Sequence, residues 1–209
     1  MSFAVPLFLL LAYLLGSLPT SYLAGRLKGV DLREHGSGNL GATNVYRVLG
    51  AGMAIPVLLL DLAKGFVPTA LFSDWDAAGD VRWSIAYGLA AIAGHVWPAF
   101  LRFRGGKGVA TGAGVLLALA PLTTVIALLI WIGIVALTRY VSVASIATAT
   151  LVPLLAALLD ARGATVLFCG VVAVFVWWTH RSNLRRLVDG TEHRFGSGRR
   201  GEANAEAEE

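Results

Sequence analysis

Long apolar runs alternate with short polar segments along most of this chain. A helix needs about 20 apolar residues to cross the hydrocarbon core of a bilayer, and most of the runs approach or exceed that length. The runs cover residues 3–27, 45–72, 83–101, 109–137, 141–159 and 164–179. Pro121 stands in the middle of the run over 109–137, which is either one long tilted helix or two short helices that meet near Pro121. The pattern predicts an all-α polytopic membrane protein with one domain over residues 1–195.

Charge decides the predicted topology. Only 14% of the residues are charged and 56% are hydrophobic, so we attribute the net charge of +4 to the positive-inside rule rather than to nucleic-acid binding. The cytoplasmic loops should be those with Arg26, Lys28 and Arg33, with Arg102, Arg104 and Lys107, and with Arg181, Arg185 and Arg186. A break at Pro121 places these three loops on one side. This gives about seven transmembrane helices with the N-terminus outside. The acidic, alanine-rich residues 196–209 are predicted to be a disordered tail.

The polar segment GSGNLGATNVYR, residues 36–47, predicts a phosphate-binding loop before a membrane helix. Glycines let a backbone approach an anion closely, and a helix start offers unpaired N–H groups and a positive dipole end. Arg47, about one turn into that helix, can bind a phosphate with two parallel hydrogen bonds. A plain polar loop between two helices is the alternative reading of this segment alone.

Two further polar segments on the same predicted face favour the phosphate reading. RGGKGVATGAG, residues 104–114, combines glycines with Lys107 and with Thr111 as an apolar run begins. In the third segment, His180 and Asn183 are three positions apart and share a helix face. A collar that binds anionic lipid remains an alternative for the arginines of that segment.

Familiar motifs are excluded or missing. GSGNLG fits G-x-G-x-x-G, but a membrane run and a charged linker precede it instead of a strand, which excludes a Rossmann domain. RGGKG is no Walker A loop because Gly108 follows Lys107. No G-x-S-x-G is present, and Cys169 is the single cysteine. We expect no cofactor and no metal.

Asp61 and Lys64 lie three positions apart inside an apolar run, where charged groups are costly unless they pair or face a polar cavity. A structural salt bridge and a role at the site both fit this pair. His95, near the end of another run, either packs and hydrogen-bonds or takes part in the site.

A site rich in phosphate binders and poor in nucleophiles suits transfer from a donor that is already activated. An acyl phosphate is such a donor, since it is a mixed anhydride with phosphate as leaving group. No histidine has an aspartate five positions later, so the His-x4-Asp signature of common glycerolipid acyltransferases is missing. An anion transporter would place its polar groups at the bilayer midplane, and a phosphotransferase would need an acidic metal cluster.

The segments SGNLGATNVYR, DLAKG, GHVWPAFLRFRGGKGVATG and HRSNLRRLVDGTE together closely resemble the bacterial acyl-phosphate:glycerol-3-phosphate acyltransferases, the PlsY family. The resemblance runs in order from about Gly16 to Glu192. It implies transfer of an acyl group from acyl phosphate to the 1-hydroxyl of glycerol 3-phosphate, the first committed step of phospholipid synthesis. The implied protein is a multi-pass protein of the bacterial inner membrane, functional as a monomer, with its site facing the cytoplasm.

The resemblance also implies roles for single residues. Ser37, Arg47 and Lys107 match positions that bind the phosphate of glycerol 3-phosphate. His180 and Asn183 match the third motif, with polarisation of the acyl carbonyl or orientation of the hydroxyl as the implied role. Further candidates for binding substrate phosphate are Asn39, Gly41, Thr43, Asn44, Gly105, Gly106, Gly108 and Ser145. Possible supporting residues are Asp61, Lys64, His95, Thr111, Arg139 and Glu192.

Overall fold

The computed structural model describes residues 4–76, 79–159 and 163–196, and within them it contains helices and no strand. This confirms the all-α prediction for the described residues. The α-helices are α1 Ala4–Gly16, α2 Thr20–Leu27, α3 Ala42–Leu49, α4 Ala51–Trp75, α5 Val81–Val96, α6 Val109–Leu119, α7 Pro121–Thr138, α8 Val141–Leu159, α9 Gly163–Thr179 and α10 Arg181–Val188. A 3-10 turn, Ala99–Leu101, follows α5.

Five stretches of the described chain are long and apolar enough to cross a membrane. They are Ala4–Leu27, Ala51–Trp75, Val81–Leu101, Pro121–Thr138 and Val141–Leu159. A sixth results if α9 and α10, which meet at 54°, are counted as one bent span. Helix α6 is apolar but has only 11 residues. The number of about seven crossings, and the side on which the N-terminus lies, therefore stay predictions.

Helix breaks divide several of the apolar runs, and those at Pro121 and Gly50 bear most on the predictions. The run over 109–137 ends one helix at Leu119 and starts the next at Pro121, which confirms the predicted break. The sequence predicts one continuous helix over the run 45–72, and this prediction is wrong at Gly50, where φ is +83°. That conformation is inexpensive only for glycine, so the chain turns there and separates α3 from α4. The first polar loop consequently leads into a helix of only eight residues, which is too short to cross a membrane.

Close backbone contacts join α1 to α5 and α4 to α6. A Cβ atom on Gly16 or Gly94 would overlap backbone atoms across the first pair, and one on Gly65 or Gly114 would do so across the second. Small residues that let helix backbones approach closely are typical of helix packing in membranes. Because α4 packs on α5 as well as on α6, these contacts fix the end of α5 relative to the start of α6, and the loop 102–108 connects the two.

The three polar segments meet at one end of the helix bundle. The ring of Tyr46 in α3 stacks on that of Phe195 with 4.8 Å between centroids. Ser142 Oγ at the start of α8 donates to Glu192 Oε1 at 2.8 Å. These contacts place the first segment beside the third, and the orientation of this end toward the cytoplasm stays a prediction. Of the predicted tail, residues 197–209 lie outside the described residues.

Candidate functional site

Asn44, fully buried in the first turn of α3, holds the first polar loop in shape. Its Oδ1 accepts from Ser37 N at 2.9 Å and from Arg47 Nη1 at 3.2 Å. Its Nδ2 donates to Leu32 O at 3.2 Å and to His35 O at 3.1 Å. An asparagine side chain has two donor hydrogens and two acceptor lone pairs, so all four are in use. Asn44 therefore organises the loop, and its predicted contact with a substrate phosphate stays a prediction.

The groups that the first loop leaves available are Ser37 and Arg47. Within the described residues, the hydroxyl of Ser37 has no hydrogen-bond partner, and Arg47 uses one donor of its guanidinium on Asn44. Asn39, Gly41 and Thr43 are half-buried around the same loop. A guanidinium with free donors beside a free hydroxyl suits an anion with several oxygens.

The second polar loop is held against the end of α5. Gly105 N donates to Val96 O at 3.1 Å, and Gly106 N donates to His95 O at 3.2 Å. A Cβ atom on Gly106 would overlap Nε2 of His95 and would lie 2.5 Å from Leu40 O. Gly108 has a φ of +79° at the start of α6. Glycine is required at these positions by close approach and by backbone conformation, and both constraints set the direction of Lys107.

Lys107 joins the second loop to the third segment. Its Nζ donates to Oδ1 of Asn183 in α10. His180 lies one turn before Asn183, at the bend between α9 and α10, and is 3% exposed. Nδ1 of His180 lies 2.9 Å from Val176 O, and a carbonyl only accepts, so Nδ1 carries a proton. In the neutral ring Nε2 is consequently the acceptor nitrogen.

Glu192 is the carboxylate at the centre of this arrangement. Oε1 accepts from Asn183 Nδ2 at 2.6 Å and from Ser142 Oγ at 2.8 Å, and Oε2 accepts from Arg186 Nε at 2.7 Å. Burial raises the pKa of Glu192, but the hydrogen bonds from these three residues outweigh it and hold the pKa below its ordinary value. The carboxylate is therefore ionised at neutral pH.

Positive charge exceeds negative charge at the site. Lys107, Arg47 and Arg186 interact electrostatically with the single carboxylate of Glu192. Burial lowers the pKa of Lys107 to about 8, with Glu192 opposing this shift and Arg186 and Arg47 adding to it. Lys107 is then mostly protonated at neutral pH. The excess of cations suits a dianionic ligand such as a phosphate monoester.

Ser142 and Arg186 belong to this network and were missed from the sequence. Ser145, which the resemblance indicated instead, lies one helical turn after Ser142 and accepts from Trp131 Nε1 at 3.1 Å. Both serines are buried on one face of α8. The start of a helix after a basic turn pointed to this region, but only the contact with Glu192 distinguishes the two positions.

A second polar cluster lies among the helices behind the second loop. Asp61 Oδ1 accepts from Thr20 Oγ1 at 2.6 Å and lies 2.9 Å from Lys64 Nζ, which confirms the salt bridge. His95 Nδ1 is 3.1 Å from Thr111 Oγ1 and 3.8 Å from Asp61 Oδ1. A small cavity of about 10 Å³ borders this cluster, with Lys64, His95 and Gly106 in its wall. Because His95 also contacts Gly106, the buried cluster supports the second loop from behind.

Arg139 takes no part in the network around Glu192 that the described contacts show. Its guanidinium Nη2 donates to Phe195 O at 3.0 Å, and it ends α7 with a φ of +61°. Within residues 4–76, 79–159 and 163–196, no group of three or more histidine, cysteine, aspartate or glutamate side chains is arranged to hold a metal ion.

Known proteins resemble this chain over most of its length. The family model for glycerol-3-phosphate acyltransferase matches residues 6–190. A glycerol-3-phosphate acyltransferase of Geobacter sulfurreducens is 50% identical over 184 residues, covering 88% of this chain and 94% of the relative. One of Halalkalibacterium halodurans is 48% identical, covering 88% of this chain and 92% of the relative.

Two crystal structures of PlsY, described as an integral membrane glycerol 3-phosphate acyltransferase, have the same fold. The glycerol 3-phosphate form has a TM-score of 0.86 and 39% identity, covering 92% of this chain and 96% of that one. The lysophosphatidic acid form has a TM-score of 0.84 and 38% identity, with the same coverage.

Proposed function

Because the chain belongs to the glycerol-3-phosphate acyltransferase family, we propose that it takes its acyl group from an acyl phosphate. The chain is an integral membrane acyltransferase. In the proposed reaction the 1-hydroxyl of sn-glycerol 3-phosphate accepts the acyl group, and lysophosphatidic acid and phosphate are the products. The observation that supports this most is the set of cations around Lys107, which suits phosphate at both substrates.

The described site offers no nucleophile for an acyl-enzyme. Among the residues described, hydroxyls lie beside the histidine rings or Glu192 of the site only at Thr111, Thr179 and Ser142, and these residues are 0%, 9% and 4% exposed. Cys169 is buried in the apolar core. A nucleophile needs both a neighbouring base and access to the substrate. We therefore propose direct transfer in one step.

In this step the substrate oxygen attacks the acyl carbonyl carbon, a new ester bond forms, and the bond from that carbon to the phosphate oxygen breaks. The proton of the hydroxyl passes to the departing phosphate or to the acyl phosphate itself. Arg47, Lys107 and the hydroxyl of Ser37 hold the phosphate of glycerol 3-phosphate. We assign the phosphate of the donor to the glycine-rich second loop, residues 105–108.

His180 and Asn183 act on the reacting groups in this proposal. Nε2 of His180 is the nitrogen that remains as an acceptor, so it can orient the attacking hydroxyl or compete as the base. Asn183 is engaged at both ends, by Lys107 and by Glu192. A substrate phosphate that draws Lys107 toward itself frees Oδ1 of Asn183 for the hydroxyl. We place the site at the cytoplasmic face of the bacterial inner membrane and expect the monomer to be functional.

The test is a comparison of donors with the purified protein in lipid. Glycerol 3-phosphate is held fixed while palmitoyl phosphate, palmitoyl-CoA and palmitoyl acyl carrier protein are supplied separately. We expect lysophosphatidic acid only from palmitoyl phosphate, with one phosphate released for each product molecule. Turnover with a thioester donor alone would refute the proposed donor.

The pH dependence of the reaction rate should reflect the protonation of Lys107. With a pKa of about 8, its ammonium group loses its proton as the pH rises through that value, and the site loses one positive charge. We expect kcat/KM for glycerol 3-phosphate to fall above about pH 8, since kcat/KM follows the free enzyme. Initial rates between pH 6.5 and 10 at subsaturating substrate would measure this. In Lys107→Arg the decline should disappear, and a flat wild-type profile to pH 10 would contradict the assignment.

A further inference from the structure

A segment without helix follows α10 and lies across the polar end of the bundle. We name residues 191–196 the C-terminal strap. At its first end Thr191 N and Glu192 N both donate to Arg186 O, at 2.8 and 3.1 Å. The strap thus starts from the end of α10 and carries Glu192 into the site.

The other end of the strap is fastened at Phe195. Phe195 N donates to Arg139 O at 2.6 Å, and the Arg139 guanidinium donates back to Phe195 O from Nη2 at 3.0 Å and from Nε at 3.3 Å. Its ring stacks on Tyr46 with an interplanar angle of 12°. Beside it, Arg194 Nε donates to the hydroxyl of Tyr140 at 3.1 Å. Both ends of the strap are therefore held, and His193 between them interacts electrostatically with Arg47, Arg186 and Glu192.

The strap connects two parts of the site that belong to different parts of the bundle. Arg47 lies on α3, which packs on α2 and α4. Ser142, Asn183 and Glu192 lie on α8, on α10 and after α10. Lys107 bonds to Asn183, and its loop lies against Leu40 O of the first segment at Gly106, which makes one bridge between these parts. The stack of Phe195 on Tyr46, the residue before Arg47, is a second.

We propose that the C-terminal strap positions Arg47 and Glu192 relative to each other for binding glycerol 3-phosphate, with Phe195 as the positioning residue. The proposal rests on the proposed function, because it takes Arg47 to be a phosphate ligand. The strap lies beyond residues 6–190, which the family model matches. Phe195 itself touches no predicted substrate group and acts through Tyr46 and Arg139.

The exposure of Phe195 indicates that its stack on Tyr46 matters more for the geometry of the site than for the stability of the fold. Phe195 is 37% exposed and lies outside the apolar clusters of the bundle. Its removal leaves no cavity among the membrane helices. The consequence of losing it should be a wider range of positions for α3 and for Glu192, which lowers affinity for the substrate phosphate.

The experiment compares Phe195→Ala with Phe195→Tyr, which keeps the ring. Direct binding of glycerol 3-phosphate by calorimetry, steady-state KM and kcat, and the Tm are measured for each purified protein. We expect Phe195→Ala to raise Kd and KM for glycerol 3-phosphate about 3- to 10-fold, the range that one aromatic pair spans. The Tm and kcat should change little, and Phe195→Tyr should restore both constants.

Two controls separate this effect from general damage. Val188→Ala alters a side chain that is 89% exposed on α10, and a chain ending at Gly196 keeps the whole strap. Both should match the wild type. Unchanged Kd and KM in Phe195→Ala would overturn the proposal, and so would a loss that follows a lowered Tm and is not restored by Phe195→Tyr.

An error in the proposed acyl donor can be distinguished from an error in the proposed role of the strap. Binding of glycerol 3-phosphate is measured without any donor. If the wild type binds glycerol 3-phosphate but does not use palmitoyl phosphate, the donor is wrong and the Kd values still decide the role of the strap.

Discussion

Replacing Lys107 by alanine is expected to reduce kcat/KM for glycerol 3-phosphate by about 100-fold, since losing one partner of a charged pair that the bound substrate buries costs about 2–5 kcal/mol. Lys107 is a half-buried cation held by Asn183 and placed by the loop that Gly105 and Gly106 tie to α5. The loss should appear mainly in KM if the ammonium group binds the phosphate equally in the ground state and in the transition state.

The control for Lys107→Ala is Arg104→Ala, three residues earlier in the same loop. Arg104 is exposed, so the variant removes the same charge from the same surface without touching the network around Glu192. We expect near wild-type kinetics for it. Arg47→Ala should resemble Lys107→Ala. Steady-state rates at varied glycerol 3-phosphate measure all three, and unchanged kinetics in both site variants would rule out the phosphate-site assignment.

Gly106→Ala is expected to reduce kcat/KM by about 100-fold or more, the cost of displacing a catalytic loop by about 1 Å. The added methyl group would overlap the His95 ring on one side and meet Leu40 O at 2.5 Å on the other. His95 cannot yield freely, because its ring is also held at Thr111. The loop must therefore move, and Lys107 moves with it.

Gly112→Ala is the matched control for Gly106→Ala. It also replaces a glycine near the start of α6, but there a Cβ atom would meet nothing closer than Ile92 Cδ1 at 3.9 Å. Alanine favours a helix over glycine by about 1 kcal/mol, so this variant should keep its activity and its Tm. Calorimetric binding of glycerol 3-phosphate and initial rates compare the two proteins. Full activity in Gly106→Ala would show that the loop does not set the position of Lys107.

The fold class was predictable because hydrophobic length alone decides it. Runs that approach or exceed 20 apolar residues have few stable arrangements other than membrane helices. Pro121 marked a break correctly, since proline cannot continue a helix. The sequence did not identify Gly50 as a helix break, because the chain holds 24 glycines and only a few of them bend it. Whether Gly50 turns the chain depends on what α3 packs against.

The candidate site was predictable in its residue types and less so in its contacts. Glycines near Lys107 and Arg47 indicated a phosphate-binding site, because few other ligands require both a close approach to the backbone and a cation. Periodicity did not distinguish Ser142 from Ser145, which lie one turn apart on one helix face. Periodicity also did not reveal that Asn44 uses all its donors and acceptors within its own segment of the chain.

Composition and spacing along the chain determined the helical membrane architecture, the polar segments and the cations that they carry, since these depend on neighbours within a few residues. The tertiary structure alone decided that Lys107 meets Asn183, that Glu192 joins Ser142 to Arg186, and that Phe195 returns to Tyr46. Three of these four contacts join residues that are 50 to 149 positions apart in the chain. Such pairs form only after close helix packing has brought the ends of the helices together, so their geometry belongs to the folded bundle and to no single stretch of sequence.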